Sequence, residues 1–376
     1  MLFACSSGAT VRYLEDVVRA ISMPAGSHLQ FRYATKYIHP DLVRIIESSP
    51  GSLVDDEVVL AYLNQSPKQF QTGAAPRVVP CRRAVLRSVD RLGTSVVLVF
   101  ELRGFPFPKQ REVGDDGRTR LLYDAYQSAL ISGGKGTCDL PIAWKKEEAP
   151  QRAQGYWLCR VERYELEMID ISPDNELWIK WEQLVRELGQ SSDFSDRGIT
   201  VFYHLLEMLN ERTRKTCVFA DGKCVVAESG EHSLKVYAYA TIEEVANTTW
   251  IRARSLSGVV ALHTNPLASV DSGYDIKRIR FNVPESPRRV SDVLALDFLD
   301  KEDQQFGKAQ IDIILDIRAK VDSLVVSGIA AGLAGAVPAI VALWKATPGA
   351  FGLAALMIFA ACFFSFIGAY YRRAGS

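Results

Sequence analysis

Two hydrophobic periods alternate along the chain. In ATVRYLEDVVRAIS, Leu14, Val17, Val18 and Ile21 recur with helical spacing and form one apolar face. The next stretch, HLQFRYAT, switches to strict alternation, with Leu29, Phe31 and Tyr33 on one side and Gln30 and Arg32 on the other, the mark of a half-buried strand. DEVVLAYL predicts a further strand. RAVLRSVDRLGTSVVLVFELRGF predicts a β-hairpin with strands at Val85–Val89 and Ser95–Leu102 around DRLG. PFPKQREVGDDG reads as a polar excursion, RLLYDAYQSALI as a helix, KKEEAPQRAQG as a charged loop and YWLCRVERYELEMI as a long strand.

SPDNELWIKWEQLVRELG carries the clearest helical pattern. Asp174 or Asn175 is placed to cap it, Gly189 to end it, and Leu177, Trp181, Leu184, Val185 and Leu188 make its buried stripe. VFYHLLEMLNERT predicts a second helix. TCVFADGKCVVAES predicts a hairpin on an Asp221–Gly222 turn, a dipeptide suited to the two positive φ angles of a tight hairpin loop. Strands follow at SLKVYAYA, TWIRARSLSGVVALH, DIKRIRFNV and DVLALDFL. SLKVYAYAT echoes HLQFRYAT, a short match that fits either a duplication or ordinary strand composition. Each half thus places a helix first and antiparallel strands after it, which predicts an α+β fold of two lobes, 1–170 and 171–304. Ile311, Ile314 and Leu315 in QFGKAQIDIILDIRAKV predict a further helix over 305–322.

The alternation then stops. Residues 323–344 and 346–371 are two uncharged stretches long enough to cross a bilayer as helices. Pro348 and Gly349 make the connection a tight turn. Arg318, Lys320, Arg372 and Arg373 flank the outer ends against Lys345 in the turn, which predicts a transmembrane hairpin with both termini, including the tail 372–376, in the cytoplasm. Ser327, Gly328, Ala331, Gly332 and Gly335 form smooth rows on the first helix, with Ala361 and Ser365 on the second. Such spacing suits close helix packing, within the hairpin or between copies.

Lys plus Arg and Asp plus Glu number 44 each, so the charge balance offers no general pull toward nucleic acid. MLFACSSGATVRYLEDVVRA lacks the basic and apolar regions of a signal peptide. The 7 cysteines show no CxxC, which argues for free thiols rather than structural zinc; Cys217 and Cys224 flank the predicted hairpin turn. The histidines His28, His39, His204, His232 and His263 have no metal-site spacing. No GxSxG or GxGxxG occurs, and ISGGKGTCD departs from a phosphate-binding loop after its lysine. No cofactor, metal or catalytic residue is expected. The strongest polar cluster is FRYATKYIHPD, where Arg32, Lys36 and His39 suit an anionic ligand.

These patterns predict a multi-pass inner-membrane protein and not an enzyme. Its cytoplasmic α+β lobes would sense a small molecule or bind a cytoplasmic protein, and its hairpin would meet the lipid bilayer and form homo-oligomers. The layout resembles that of membrane-disrupting effectors of bacterial antiviral defence; a static scaffold that recruits a cytoplasmic partner is the alternative.

Overall fold

The computed structural model describes residues 1–7, 11–64, 77–107, 111–113, 119–121, 156–160, 167–169, 177–241, 249–263, 267–268, 273–286, 288–299 and 309–318. In chain order, the first part contains β1 (Leu2–Ser7), α1 (Val11–Ser22), β2 (His28–Ala34), α2 (Pro40–Ser48), β3 (Glu57–Asn64), β4 (Arg77–Leu92), β5 (Ser95–Leu102), β6 (Phe105–Phe107), β7 (Arg111–Val113), β8 (Thr119–Leu121), β9 (Leu158–Arg160) and β10 (Glu167–Ile169). The second contains α3 (Leu177–Gly189), α4 (Ser192–Ser195), β11 (Val201–Asn210), β12 (Val218–Ala220), β13 (Lys223–Val226), β14 (Gly230–Ala240), β15 (Trp250–Ser255), β16 (Ala261–Leu262), β17 (Leu267–Ala268), β18 (Tyr274–Val283), β19 (Val290–Leu299) and β20 (Ala309–Ile317).

The first part builds a mixed sheet in the order β2-β5-β4-β3-β1-β9, with β1 and β3 parallel and the other pairs antiparallel. Leu29, Phe31 and Tyr33 of β2 are buried and Gln30 and Arg32 exposed, as the alternation predicts. β4 and β5 turn at Gly93, whose φ of +61° a side chain would strain. The second part is a sandwich of two sheets, β11-β14-β18-β16 and β12-β13-β20-β19-β15-β17. Its layers meet where Tyr203 of β11 stacks on Phe298 of β19, ring centroids 4.1 Å apart.

α1 joins the two parts. Leu14, Val17, Val18 and Ile21 are buried. The helix packs on β1 and β2 of the mixed sheet and on β11 and β20 of the sandwich. One apolar core therefore runs from Leu2 to Ile317. Arg19 Nε donates to Gln310 O at 3.1 Å, and His204 Nδ1 meets Ile21 O at 3.0 Å, so polar contacts fasten the same seam. α3 lies over the outer face of β14, with its fully buried Trp181 edge-on to Tyr237 at 5.3 Å.

The expected α+β class with a membrane hairpin is corrected. The described residues form twenty strands and only four α-helices. Two predicted helices are strands. VFYHLLEMLNERT contributes β11, paired with β14 from Val201 to Asn210. QFGKAQIDIILDIRAKV contributes β20, where Ala309, Ile311, Ile313, Leu315 and Ile317 are buried at period two and Gln310, Asp312 and Ile314 are not. Ile311, Ile314 and Leu315 satisfy a helical template as well; pairing with β19 on one side and β13 on the other decides between the two.

The membrane placement is corrected too: among the described residues no helix is long and apolar enough to cross a membrane. This leaves the expected inner-membrane location and its hairpin without structural support. The stretches 323–344 and 346–371, with Ser327, Gly328, Ala331, Gly332, Gly335, Ala361 and Ser365, lie outside the described residues.

Candidate functional site

The proposed anion cluster is divided among separate neighbours. Arg32 Nη2 reaches Ser95 Oγ at 3.4 Å, Lys36 Nζ lies 4.9 Å from the Tyr37 ring centroid, and His39 Nδ1 accepts from Asp41 N–H at 3.2 Å as the N-cap of α2. His39 is also edge-on to Tyr156 at 4.9 Å. The basic strand residues pair in the same way: Arg254 Nε donates to Asp297 at 2.7 Å, and Lys277 pairs with Asp275 at 2.6 Å.

A different set of chemical groups gathers at one end of the sandwich. The β12–β13 hairpin turns on Asp221 and Gly222, at φ +50° and +73°, as the dipeptide predicts. This places Cys217, one residue before β12, and Cys224, inside β13, on the same side of the hairpin. Cys217 N–H donates to Met208 O at 2.7 Å, and Cys224 Sγ lies 3.3 Å from Met208 Sδ. Both thiols thereby lie beside β11. Across the β11–β14 ladder Asn210 faces His232, with Nδ2 and Nε2 3.4 Å apart. Asn210 Oδ1 already accepts from Arg212 N–H and Thr213 N–H, at 3.1 and 2.9 Å, so its amide nitrogen is the group turned to the imidazole. His232 Nδ1 meets Gly230 O at 2.9 Å, and its ring stacks on Phe281 at 5.8 Å. His232 is buried, Cys224 is buried, and Cys217 is half-exposed.

This setting splits the two thiols. The Cys224 thiol beside it favours the Cys217 thiolate. Burial opposes that, and His232, by hydrogen bond and charge, favours it again; the net effect holds Cys217 well below the usual thiol range. Cys224 moves the other way, through its interaction with Cys217 and the burial of its site. For His232, burial opposes the imidazolium, but the bonds to Cys217 and Gly230 outweigh it and its pKa is raised. The result is an acidified Cys217 close to His232, with a second thiol beside it that keeps its proton. Sequence reasoning found Cys217 and Cys224 through their turn. It missed His232 and Asn210, which reach the thiols only through long-range strand pairing.

Among the described residues no group of three or more His, Cys, Asp or Glu side chains is arranged to hold a metal ion. A cavity of about 20 Å³, room for one water, lies apart from the thiols at the seam, between Val18, Tyr203, Phe298 and Ala309. Cys5, Cys81, Cys217 and Cys224 are free thiols, whereas Cys159 is disulfide-bonded, so the expectation of free cysteines throughout does not hold.

No family model matches the chain, and no curated protein matches it in sequence. Some solved structures share local similarity. A protein of unknown function from Porphyromonas gingivalis W83 matches at 12% identity and a TM-score of 0.21, over 32% of this chain and 47% of its own, so the chain spans about half of that protein's length. WR4, a C. elegans MSP family member, matches at 9% and 0.17, over 26% of this chain and 92% of its own. A Niemann-Pick type C2 protein from Japanese carpenter ant matches at 10% and 0.18, over 26% and 80%. Likeness at this level assigns neither a fold family nor a function.

Proposed function

We propose that this chain is a sensing protein whose input is a soft electrophile or oxidant taken up at Cys217. One observation carries the reading: a half-exposed cysteine is held between a second thiol and a buried histidine, at the base of a hairpin whose tip touches the other half of the molecule. A thiolate is the nucleophilic form of cysteine, and an accessible thiolate beside a cation is the usual setting of a reactive one. The hairpin supplies the output path. Gly222 N–H donates to Gly26 O at 3.0 Å, just before β2 of the mixed sheet. A side chain on Gly222 would meet the His28 ring at 2.6 Å, and one on Gly26 would meet Phe219 O at 2.3 Å. The docking is close enough that a change at the hairpin base is felt at its tip.

The test is brief alkylation of the folded chain with iodoacetamide at neutral pH, read by peptide mass spectrometry. Cys217 is expected to be labelled well ahead of Cys5 and Cys81. Equal labelling of all three in the folded state would sink the reading.

A further inference from the structure

The two thiols at the hairpin are adjacent but unequal, and their inequality suits a particular sequence of steps. Cys217 is partly exposed and stands close to His232, whereas Cys224 is buried and keeps its proton. The Cys224 thiol donates to Met208 Sδ of β11 at 3.3 Å, on the hairpin face that it shares with Cys217.

We infer that Cys217 and Cys224 form a hydroperoxide-responsive pair, in which Cys217 is oxidised first and Cys224 then closes a disulfide; this rests on the reading of Cys217 as the sensing thiol. In the first step the Cys217 thiolate attacks the terminal peroxide oxygen. The O–O bond breaks, the sulfur becomes a sulfenic acid, and the leaving alkoxide takes a proton from water at the exposed Cys217 end and departs as an alcohol. In the second step the Cys224 sulfur attacks the Cys217 sulfur, and the sulfenic hydroxyl leaves as water with the Cys224 proton. Two thiols and one hydroperoxide thus give one disulfide, one alcohol and one water. A small hydroperoxide is the substrate class this site suits, because His232 is buried and only the Cys217 end is open.

The second step has a mechanical consequence. In the β12–β13 ladder Phe219 faces Cys224 and Val218 faces Val225, so Cys217 is a diagonal neighbour of Cys224 rather than its direct partner. Diagonal positions lie roughly 7–8 Å apart, beyond the usual span of a disulfide, so closure must twist the hairpin. The tip of that hairpin is the Gly222–Gly26 contact, which leaves little room for a twist. Oxidation is therefore expected to loosen the tip from the mixed sheet.

Cleavage after Lys215, Lys223 and Lys235 separates the two cysteines into TCVFADGK and CVVAESGEHSLK, so the bond is directly readable. The full chain is treated with one equivalent of hydrogen peroxide, blocked with iodoacetamide and digested without reductant. The expected result is a linked pair of these peptides, lighter than their sum by two hydrogens. In Cys224→Ser the link is lost and dimedone labels Cys217 as a sulfenic acid instead. In Cys217→Ser neither residue reacts. Hydrogen exchange at the Gly222 amide is expected to quicken in the oxidised chain. If Cys217 is selectively alkylated but peroxide carries it to a sulfinic acid with Cys224 still free, the pair is overturned and the sensing reading stands. If Cys217 shows no selectivity toward either reagent, both fall. A link found only between two chains on a non-reducing gel also overturns the pair.

Discussion

The molecule holds two groups of free cysteines, and they teach opposite lessons about one side chain. Cys5 on β1 and Cys81 on β4 flank β3 in the mixed sheet, fully buried among apolar residues. Burial alone pushes the Cys5 thiol up to about 12, and burial also raises Cys81, against a smaller lowering from a backbone bond at Tyr62. Cys217 and Cys224 occupy the rim of the sandwich, where donors are within reach of a sulfur, and Cys217 falls instead. What separates the two groups is whether polar groups that favour the thiolate face the sulfur.

The largest expected effect is the ratio of reactivities itself. Burial keeps Cys5 protonated at neutral pH, while the groups around Cys217 favour its thiolate; the lower intrinsic nucleophilicity of the more acidic thiol returns part of this. Iodoacetamide should label Cys217 in the folded chain on the order of a thousandfold faster than Cys5. The comparison breaks if denaturing the chain leaves the ratio unchanged, since the difference would then owe nothing to the fold.

Next comes the seam between the two regions. His204 is buried between Phe105 and Trp181, with ring centroids 5.2 and 6.0 Å away. Burial, helped by the Arg82 charge, lowers its pKa to about 3, while the bonds to Ile21 O and the Ser22 backbone resist. Because the folded value lies below the unfolded 6.5, the stabilisation is complete above pH 6.5 and is lost as pH falls toward 3. At pH 5 the loss is about 2 kcal/mol. Asp16, raised by burial to about 6, runs the other way: its penalty is present above that pH and relaxes as it is protonated. Urea denaturation at pH 7.5 and pH 5 should show the loss in the natural chain and a smaller one in His204→Gln. Alkylation at pH 5 sharpens the comparison, because Cys217 should keep its lead while the seam weakens if the sandwich alone builds its site.

Much of this fold was legible in short-range pattern. The alternation of β2, the helical face of α1, and the Asp221–Gly222 turn need only neighbours along the chain, and each forms where its spacing says. β11 and β20 were not legible as strands. VFYHLLEMLN is a nearly continuous apolar run, which a buried strand and a buried helix share, and IDIILDI fits both periods. Their state is set by partners far away in sequence: Val201 faces Ala240, and Ile317 faces Val290. β1 went unread because its six residues give no period before the break at α1. The site divides in the same way. The two thiols share a hairpin and show in the sequence. His232 and Asn210 are brought to them by a register that no local pattern encodes.

Within the sandwich, the partners of Cys217 can be removed one at a time. Cys224 makes the larger contribution. Cys224→Ala deletes the donor and should raise the midpoint of the Cys217 pH–rate profile by about one unit. Cys224→Ser keeps an O–H donor and should restore most of the shift. An unchanged midpoint in the alanine variant would assign the reactivity of Cys217 to exposure alone, and the contrast with Cys5 would reduce to burial.

His232→Gln gives the smallest and most discriminating change. Glutamine retains an N–H donor but carries no charge, so it separates the hydrogen bond of His232 from its imidazolium. The Cys217 midpoint should rise by about half a unit, less than in Cys224→Ala, because the histidine ranks below Cys224 among the groups that favour the thiolate. The residue is buried against Phe281 and bonded to Gly230, so the variant will also lose stability. Loss of packing and loss of charge are distinguishable in one experiment. Local unfolding would expose Cys224 and bring its labelling up with that of Cys217, whereas loss of charge slows Cys217 and leaves Cys224 protected. The first outcome makes His232 a packing residue of the sandwich. The second makes it the cation that sets Cys217 apart from Cys5.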